Sequence, residues 1–200
     1  DIPAVIKDIV GAEYRIEVNI VKQSPEIAQG VDTGGAGDQG IMSGYATNET
    51  ETHMPREYEL ARSLCRRIYE KYPYDGKVQI TLGEGTITAV VASFQNTKTK
   101  ELEELVRSLI EADEYFVNPA GEWQIGGFDA DSGLSGRKIV IDNYGPEINV
   151  GGGSFSGKDA TKVDRSAAYM ARRIAVDLLK QRSAKEVKTK LAYAIGKAEP

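Results

Sequence analysis

The stretch from Gly151 to Tyr169 constrains the fold and the chemistry of this chain more than any other: Gly-Gly-Gly-Ser-Phe-Ser-Gly-Lys-Asp-Ala-Thr-Lys-Val-Asp-Arg-Ser-Ala-Ala-Tyr. Its three opening glycines leave a backbone free to take φ > 0 and to approach a ligand closely. Lys158 and Lys162 follow four apart, then Asp164 and Arg165, and an apolar-periodic helix begins. Backbone N–H groups and lysines gathered before a helix N-terminus make a phosphate site physically reasonable. Gly152–Lys158 also fits the G-x-x-x-x-G-K of a P-loop, but Asp159 stands where that motif needs a hydroxyl for Mg²⁺. A carboxylate there would repel phosphates unless a cation intervened, so the P-loop reading is rejected. A plain glycine turn would explain the glycines but not the Lys-Lys-Asp spacing. Alone, the stretch indicates a polyanion bound together with a metal.

Composition narrows the partners. Two hundred residues can bury a substantial core in one or two domains. A formal net charge of −5 argues against a nucleic-acid backbone as the main partner, so the important lysines must be locally concentrated. The single cysteine, Cys65, excludes an internal disulfide framework and suits a reducing, cytoplasmic compartment. Its place in a helical pattern makes it a core residue. No apolar run approaches the roughly 20 residues that span a bilayer, and no signal peptide or membrane partner is expected. The start at Asp1 and the end in Ala-Glu-Pro directly after a strand pattern read as a piece of a longer chain.

In chain order, Asp1-Ile-Pro opens a short helix with the stripe Ile2, Val5, Ile6, Ile9 and Val10, ended by Gly11. Tyr14–Lys22 alternates apolar and polar and predicts a half-buried strand, whose buried face would suit a sheet-to-sheet dimer. From Gln23 to Thr52 the pattern collapses into Gly, Asp, Ser, Thr and Asn, which predicts a long functional or disordered loop. Gly35–Gly40 matches G-x-G-x-x-G, but no apolar strand precedes it, so a dinucleotide site is rejected in favour of a glycine-rich turn. Arg56–Tyr72 predicts an amphipathic helix with Leu64, Cys65 and Ile68 on its buried side, stopped by Pro73. Lys77–Leu82 and Thr86–Gln95 predict a hairpin, and Lys100–Ala112 a second helix. Glu122–Ile125 and Lys138–Asp142 read as short strands. Val163–Leu179 predicts a third long helix, and Val187–Ile195 a last strand. The order suggests a mixed fold in which antiparallel sheets carry helices on one face.

Charged residues beside glycines gather in loops at element edges, where a rigid scaffold can aim them. They are Asp75 with Lys77, Asp131 with Arg137 and Lys138, Lys158 with Lys162 and Asp164, and Asp38. A triphosphate needs several cations plus Mg²⁺ bridging through carboxylates, and this set supplies both. No Ser-His-Asp or Cys/His cluster is present. His53, the only histidine, lies in a polar loop and takes no catalytic role. Trp123, the only tryptophan, is either packing or a stacking surface for an adenine ring.

Gly35-Ala-Gly-Asp-Gln-Gly followed by Ile41-Met-Ser-Gly-Tyr-Ala-Thr-Asn-Glu closely resembles one signature of the S-adenosylmethionine synthetases (methionine adenosyltransferases), and the stretch from Gly151 resembles the second. Lys22-Gln-Ser-Pro-Glu-Ile-Ala-Gln-Gly-Val, Gly133-Leu-Ser-Gly-Arg-Lys and Tyr193-Ala-Ile-Gly-Lys-Ala-Glu-Pro extend the likeness along nearly the whole chain. The resemblance implies an α+β fold of intertwined repeats. Residues 1–30 with 127–165 would form central-domain segments, 31–55 the glycine-rich signature region, and 56–126 a sheet-and-helix domain. Residues 166–200 would lead into a third domain.

It also implies a reaction in one-carbon metabolism. Methionine sulfur attacks the ribose C5′ of ATP and expels triphosphate, which is hydrolysed to pyrophosphate and phosphate. Catalysis would rest on alignment and on electrostatic stabilisation of the leaving triphosphate, by Lys77, Arg137, Lys138 and Lys158. ATP contacts would be Asp75, Lys77, Trp123, Asp131, Arg137, Lys138, Ser154 and Lys158. Gln23, Asp131 and Lys162 resemble methionine contacts, and Gln23–Thr33 resembles a mobile gating loop. Asp164 resembles a ligand of Mg²⁺, and Asp38 is a second candidate. K⁺ is the other implied cofactor. The family forms homodimers, some paired into tetramers, with active sites at the interface. Its His-Pro-Asp-Lys stretch, and glutamates associated with K⁺ and methionine, are not among these residues. The competing readings are therefore a non-catalytic nucleotide- or polyphosphate-binding module of the same fold, and a tripolyphosphatase alone.

Overall fold

A computed structural model describes residues 1–200 and shows an α+β chain whose three longest helices lie against two separate sheets. Helix α1 (Ile2–Val10) forms where Asp1 and Pro3 predict it and stops at Gly11, whose φ of 116° suits a residue without a side chain. None of its residues is buried, and Ile2, Val5 and Ile9 face solvent.

The strand expected over Tyr14–Lys22 does not form. The segment is paired with nothing, and Val18, Ile20 and Val21 are exposed. Alternation specifies which face a strand would bury, but a strand exists only where a neighbour takes its backbone hydrogen bonds. The long loop expected over Gln23–Thr52 is also corrected, because it contains two elements. Helix α2 (Pro25–Val31) starts at Ser24, whose Oγ accepts the Ile27 N–H at 3.4 Å, with Pro25 in its first turn. Strand β1 (Gly40–Thr47) follows.

β1 shows no period-2 pattern because both its faces are covered. Met42 and Ala46 on one face and Ser43, Tyr45 and Thr47 on the other are all buried. Its partner is β5 (Glu186–Tyr193), antiparallel, with Gly40 opposite Tyr193 and Thr47 opposite Glu186. Helix α6 (Val163–Arg182) lies across this pair on Ala167, Ala168, Ala171 and Ala175. Small residues on both sides let the backbones close. A Cβ on Gly44 would stand 2.2 Å from the Ala171 carbonyl.

The second sheet is built from β2 (Gly76–Leu82), β3 (Ile87–Phe94) and β4 (Glu114–Val117). β2 and β3 form the expected hairpin, and β4 runs parallel to β3 after a crossover through α4 (Thr99–Leu109). Helix α3 (Arg56–Lys71) joins α4 on one face of this sheet. Their apolar stripes bury Leu64, Ile68, Leu102 and Val106 against Val90, Ala92, Phe94 and Val117. The strand expected over Glu122–Ile125 is irregular, with no strand ladder: the Gln124 carbonyl accepts the Gln95 side chain through Nε2, and the Trp123 carbonyl accepts the backbone N–H of Asn96. Lys138–Asp142 is helical, not a strand. The β-branched run closes a short helix α5 (Ile139–Asp142), with Asp142 N–H bonded to the Lys138 carbonyl. No helix is long and apolar enough to cross a membrane.

The packing of α6 on β1 predicts a sharp contrast between two glycines. Gly44→Ala should cost about 1–3 kcal/mol through overpacking, lowering the urea midpoint with little change in slope. Gly30→Ala, in α2 with nothing closer than 3.6 Å to the added carbon, should be neutral or slightly stabilising. A Gly44→Ala protein with the parent's midpoint would contradict the packing described.

Candidate functional site

The glycine loop folds around one carboxylate. Gly151 lies so close to β1 that a Cβ would be 2.4 Å from the Ile41 carbonyl oxygen. Gly152, at φ 82°, and Gly153 then wrap Asp164, which sits in the first turn of α6; added carbons would meet its oxygens at 2.8 and 3.0 Å. Gly153 N–H donates to Asp164 Oδ1 at 2.8 Å, and Lys158 Nζ donates to Oδ2 at 2.6 Å. The two side chains are 18% and 26% exposed, so the pair is sheltered from solvent. Burial alone would raise the Asp164 pKa, but the hydrogen bonds from the Lys158 ammonium and Gly153 outweigh it. The carboxyl is held below its usual range. A carboxylate in the first turn also meets the positive end of the helix.

Lys162 caps the same helix, and its ammonium donates to Gln23 Oε1 and, at 3.3 Å, to Thr161 Oγ1. Two residues expected to contact methionine, far apart in sequence, are thus in contact with each other. Gly35–Gly40 packs beside them. Ala36 is buried with Val163, and its N–H and carbonyl pair with Lys197 and Gly196 at 2.7 Å each. The glycines here serve close packing: a Cβ on Gly35 would be 2.5 Å from the Gly196 carbonyl oxygen, and one on Gly37 2.8 Å from Val31. Asp38 is exposed and accepts the Gln39 N–H at 2.7 Å. It shares no hydrogen-bond partner with Asp164, and no three His, Cys, Asp or Glu side chains gather in the chain to hold a metal.

A second cluster occupies one end of the β2–β3 hairpin. Asp75 Oδ2 accepts the Gly127 N–H at 2.9 Å, and Gln95 bridges the Asp75 N–H to the Gln124 carbonyl. Trp123 Nε1 donates to Ser93 Oγ at 3.0 Å, which lays the indole over the sheet face opposite the helices. Lys77 is directly across the ladder from Ser93, exposed and without an ion-pair partner. Gly126 permits the approach, since an added carbon would be 2.7 Å from both Trp123 and Gln95.

The loop Gly127–Lys138 runs between the clusters. Asp131 accepts the Gly133 N–H at 3.1 Å, and Gly136, at φ 79°, presses on Ser154, whose Cβ would be 2.3 Å from an added carbon. Arg137 and Lys138 are exposed. No side-chain hydrogen bond or ion pair joins the Lys158 cluster to the Trp123 cluster.

Sequence reasoning passed over three contributors. Asp159, which excludes a P-loop, is occupied locally: the Thr161 hydroxyl and N–H donate to it at 2.5 and 2.8 Å and hold its carboxyl below the usual range. The Asp-x-Thr spacing is the available signal. Arg165 donates to the Lys158 carbonyl, and the Gly153 N–H grips Asp164; backbone contacts of this kind leave no pattern in side chains.

The sign of the Asp164 shift fixes a pH dependence. A carboxyl depressed in the folded state contributes stability above its unfolded pKa and loses it as pH falls through the folded value. Asp164→Asn should therefore cost about 1–3 kcal/mol at pH 7, the worth of charged hydrogen bonds. The gap between variant and parent should narrow as pH falls below about 4. Unfolding curves at stepped pH measure this, and a gap independent of pH would contradict the pairing.

Two family models match the chain from residue 33 onward. Residues 33–123 match S-adenosylmethionine synthetase, central domain, and residues 125–200 match S-adenosylmethionine synthetase, C-terminal domain. The S-adenosylmethionine synthases of two Staphylococcus epidermidis strains are each 41% identical over 224 residues, covering 90% of this chain and 56% of theirs. The chain thus spans little more than half the length of these relatives. Their matched span is also longer than the whole 200-residue chain, so they carry residues there that it lacks. The solved structure of an unusual S-adenosylmethionine synthetase from Campylobacter jejuni superposes with a TM-score of 0.74 at 34% identity, covering 84% of this chain and 52% of that one. With the central and C-terminal domain models matched in adjoining order on a shared fold, the chain belongs to the S-adenosylmethionine synthetase family.

Proposed function

We propose that this chain carries the triphosphate-holding part of a site that makes S-adenosylmethionine from ATP and L-methionine. The observation that supports it best is the Lys158–Asp164 pair enclosed by Gly152 and Gly153 at the N-terminus of α6, with Lys162 and Gln23 in contact beside it. An ammonium held only by a carboxylate can turn to an incoming phosphate. The backbone N–H groups of the first turn of α6 then add their partial positive charge.

The displacement at C5′ needs no protein nucleophile. Methionine sulfur forms the new bond, the C5′–oxygen bond breaks, and the leaving triphosphate takes the electron pair. The chain's task is to hold sulfur and C5′ in line and to stabilise the charge that gathers on the triphosphate. Lys158, Arg137, Lys138 and Lys77 serve the second need, Gln23 and Lys162 the amino acid, and Trp123 and Ser154 the nucleoside, with Asp75 a further ATP contact. Mg²⁺ keeps several waters and takes one or two carboxylates beside substrate phosphates, so Asp164 next to Lys158 suits a cation that arrives with the triphosphate, and Asp38 is a weaker candidate in the neighbouring loop. Bound there, Mg²⁺ would neutralise charge on the leaving group. No residue of this chain is matched to K⁺. The separation of the two clusters fits sites completed in a homodimer, in the cytoplasm where ATP and methionine are at hand.

Incubation with ATP, methionine, Mg²⁺ and K⁺ tests the reading, with S-adenosylmethionine followed by mass spectrometry and polyphosphates by phosphorus NMR. The chain should bind tripolyphosphate, and Lys158→Ala should weaken that binding about tenfold or more, the worth of one charge-assisted hydrogen bond. Unchanged affinity in the variant would overturn the assignment of the loop. Tripolyphosphate cleavage without S-adenosylmethionine would leave the hydrolytic half-reaction alone.

A further inference from the structure

Three segments meet at the end of the sheet where Trp123 lies. Asp75 precedes β2, Gln95 follows β3, and Trp123–Gly127 comes after β4. Backbone bonds seat Gln95 between the other two: its N–H donates to the Asp75 carbonyl at 2.8 Å, and the N–H of Asn96 donates to the Trp123 carbonyl at 2.9 Å. The core holds this turn from behind. Buried Asn118 accepts the Phe94 N–H at 3.2 Å and donates to Thr97 Oγ1 at 3.2 Å, and the buried Thr97 hydroxyl donates to the Phe94 carbonyl at 2.7 Å. The Gln95 side chain therefore starts from a fixed backbone.

That side chain closes the same junction a second time. Oε1 accepts the Asp75 N–H at 3.3 Å, and Nε2 donates to the Gln124 carbonyl at 2.8 Å. A backbone N–H can only donate and a carbonyl only accept, so these partners settle which end of the amide is which. Neither the Asp75 N–H nor the Gln124 carbonyl has another partner in the protein. Buried Gly126 lies between the amide and the indole, where an added carbon would stand 2.7 Å from each. Asp75 in turn accepts the Gly127 N–H through Oδ2 at 2.9 Å, and its Oδ1 bonds to no group of the protein. Amide, indole and carboxylate form one unit at one end of one sheet, within a single chain.

We propose that Gln95 is a positioning residue, which through its two amide hydrogen bonds fixes Asp75 against the Trp123–Gly127 segment so that one nucleotide meets the carboxylate and the indole together. This rests on the ATP contacts assigned above to Asp75 and Trp123. It asks nothing of the Lys158 cluster, whose phosphate contacts can come from this chain or from a second copy. The chemistry of the unit selects the part of the nucleotide concerned. A carboxylate repels phosphates and accepts from hydroxyls, and an indole stacks on a base, so the unit recognises the nucleoside end. Asp75 and Gln124 are exposed, so water can take the bonds that Gln95 gives up. Losing the amide should loosen the unit without unfolding the sheet.

The experiment compares Mg·ATP with Mg·tripolyphosphate by calorimetry. Both ligands carry three phosphates, so whichever lysines hold these, the ratio of the two affinities reads the nucleoside end. Trp123, the only tryptophan, adds a direct signal through its fluorescence anisotropy in the free protein and its response to ATP. Gln95→Ala removes both hydrogen bonds, and Gln95→Met removes them while keeping the length of the side chain. In each variant ATP affinity should fall about three- to tenfold, the worth of about one hydrogen bond, while tripolyphosphate affinity stays within about twofold of the parent. The Trp123 anisotropy should drop in both, and the urea midpoints should stay near the parent's. A Gln95→Met protein with the parent's affinity ratio and anisotropy would mean that the side chain only fills space, and would overturn the proposal. Equal weakening of both ligands would overturn it as well, while leaving the assigned ATP contacts intact. A parent chain that binds tripolyphosphate as tightly as ATP, with no Trp123 response, would overturn the nucleoside reading and this inference with it; one that binds neither ligand would overturn the whole site.

Discussion

Both oxygens of Asp164 are occupied, one by the Gly153 N–H and one by the Lys158 ammonium, and much of the surrounding architecture serves that arrangement. A sheltered ion pair repays its desolvation only when the geometry is good and the remaining valences are satisfied. Here the loop can come close enough because Gly152 and Gly153 have no side chains. The loop in turn can lie flat on β1 because Gly151 has none either. The result is an ammonium held beside a helix N-terminus, already desolvated in part, with a single anionic partner. A phosphate offers it more charge than the carboxylate does.

Helix α6 carries this arrangement to the rest of the molecule. At its start are Lys162 and Asp164; further along, Ala171 accepts the Thr189 hydroxyl at 2.7 Å and faces Gly44, and Arg172 next to it grips the turn leading to α3. The alanine face that lets α6 approach β1 also fixes its height above the sheet, and with it the depth of the glycine loop. Packing and site geometry are therefore coupled through backbone distances that a single added carbon would change. The second cluster has no such support from α6 and is tied together at the end of its own sheet by Gln95.

The sequence makes some of this legible and hides the rest for identifiable reasons. Helices α3, α4 and α6 and the β2–β3 hairpin carry strong periods, and the structure forms each of them within a few residues of expectation. Strand β1 is hidden because burial on both faces erases alternation, and because Gly44 is required by α6 rather than by the strand. Tyr14–Lys22 has the alternation and lacks the neighbour, and Ile139–Asp142 has β-branched residues but a helical turn; local pattern is overridden by what is available to pair. In the site, glycines followed by Lys158, Lys162 and Asp164 before a helix were readable as an anion-binding loop. The contact of Lys162 with Gln23 was not, since nothing in either neighbourhood points across so much chain; there the family resemblance had to supply both residues. Gln95 was invisible because its partners are a backbone N–H and a carbonyl, which almost every residue possesses.

The Asp164 carboxyl itself can report whether the resting pair gives way to a polyanion. A carbon-13 NMR titration of that carboxyl, run without and with saturating tripolyphosphate in the absence of Mg²⁺, measures how firmly Lys158 still holds it. If the phosphates take the ammonium, the carboxyl loses the partner that keeps its pKa low and gains negative neighbours, so it should titrate at higher pH in the complex. A titration that does not move while tripolyphosphate is bound would mean that the anion sits elsewhere and that the Lys158–Asp164 pair is a structural clamp only.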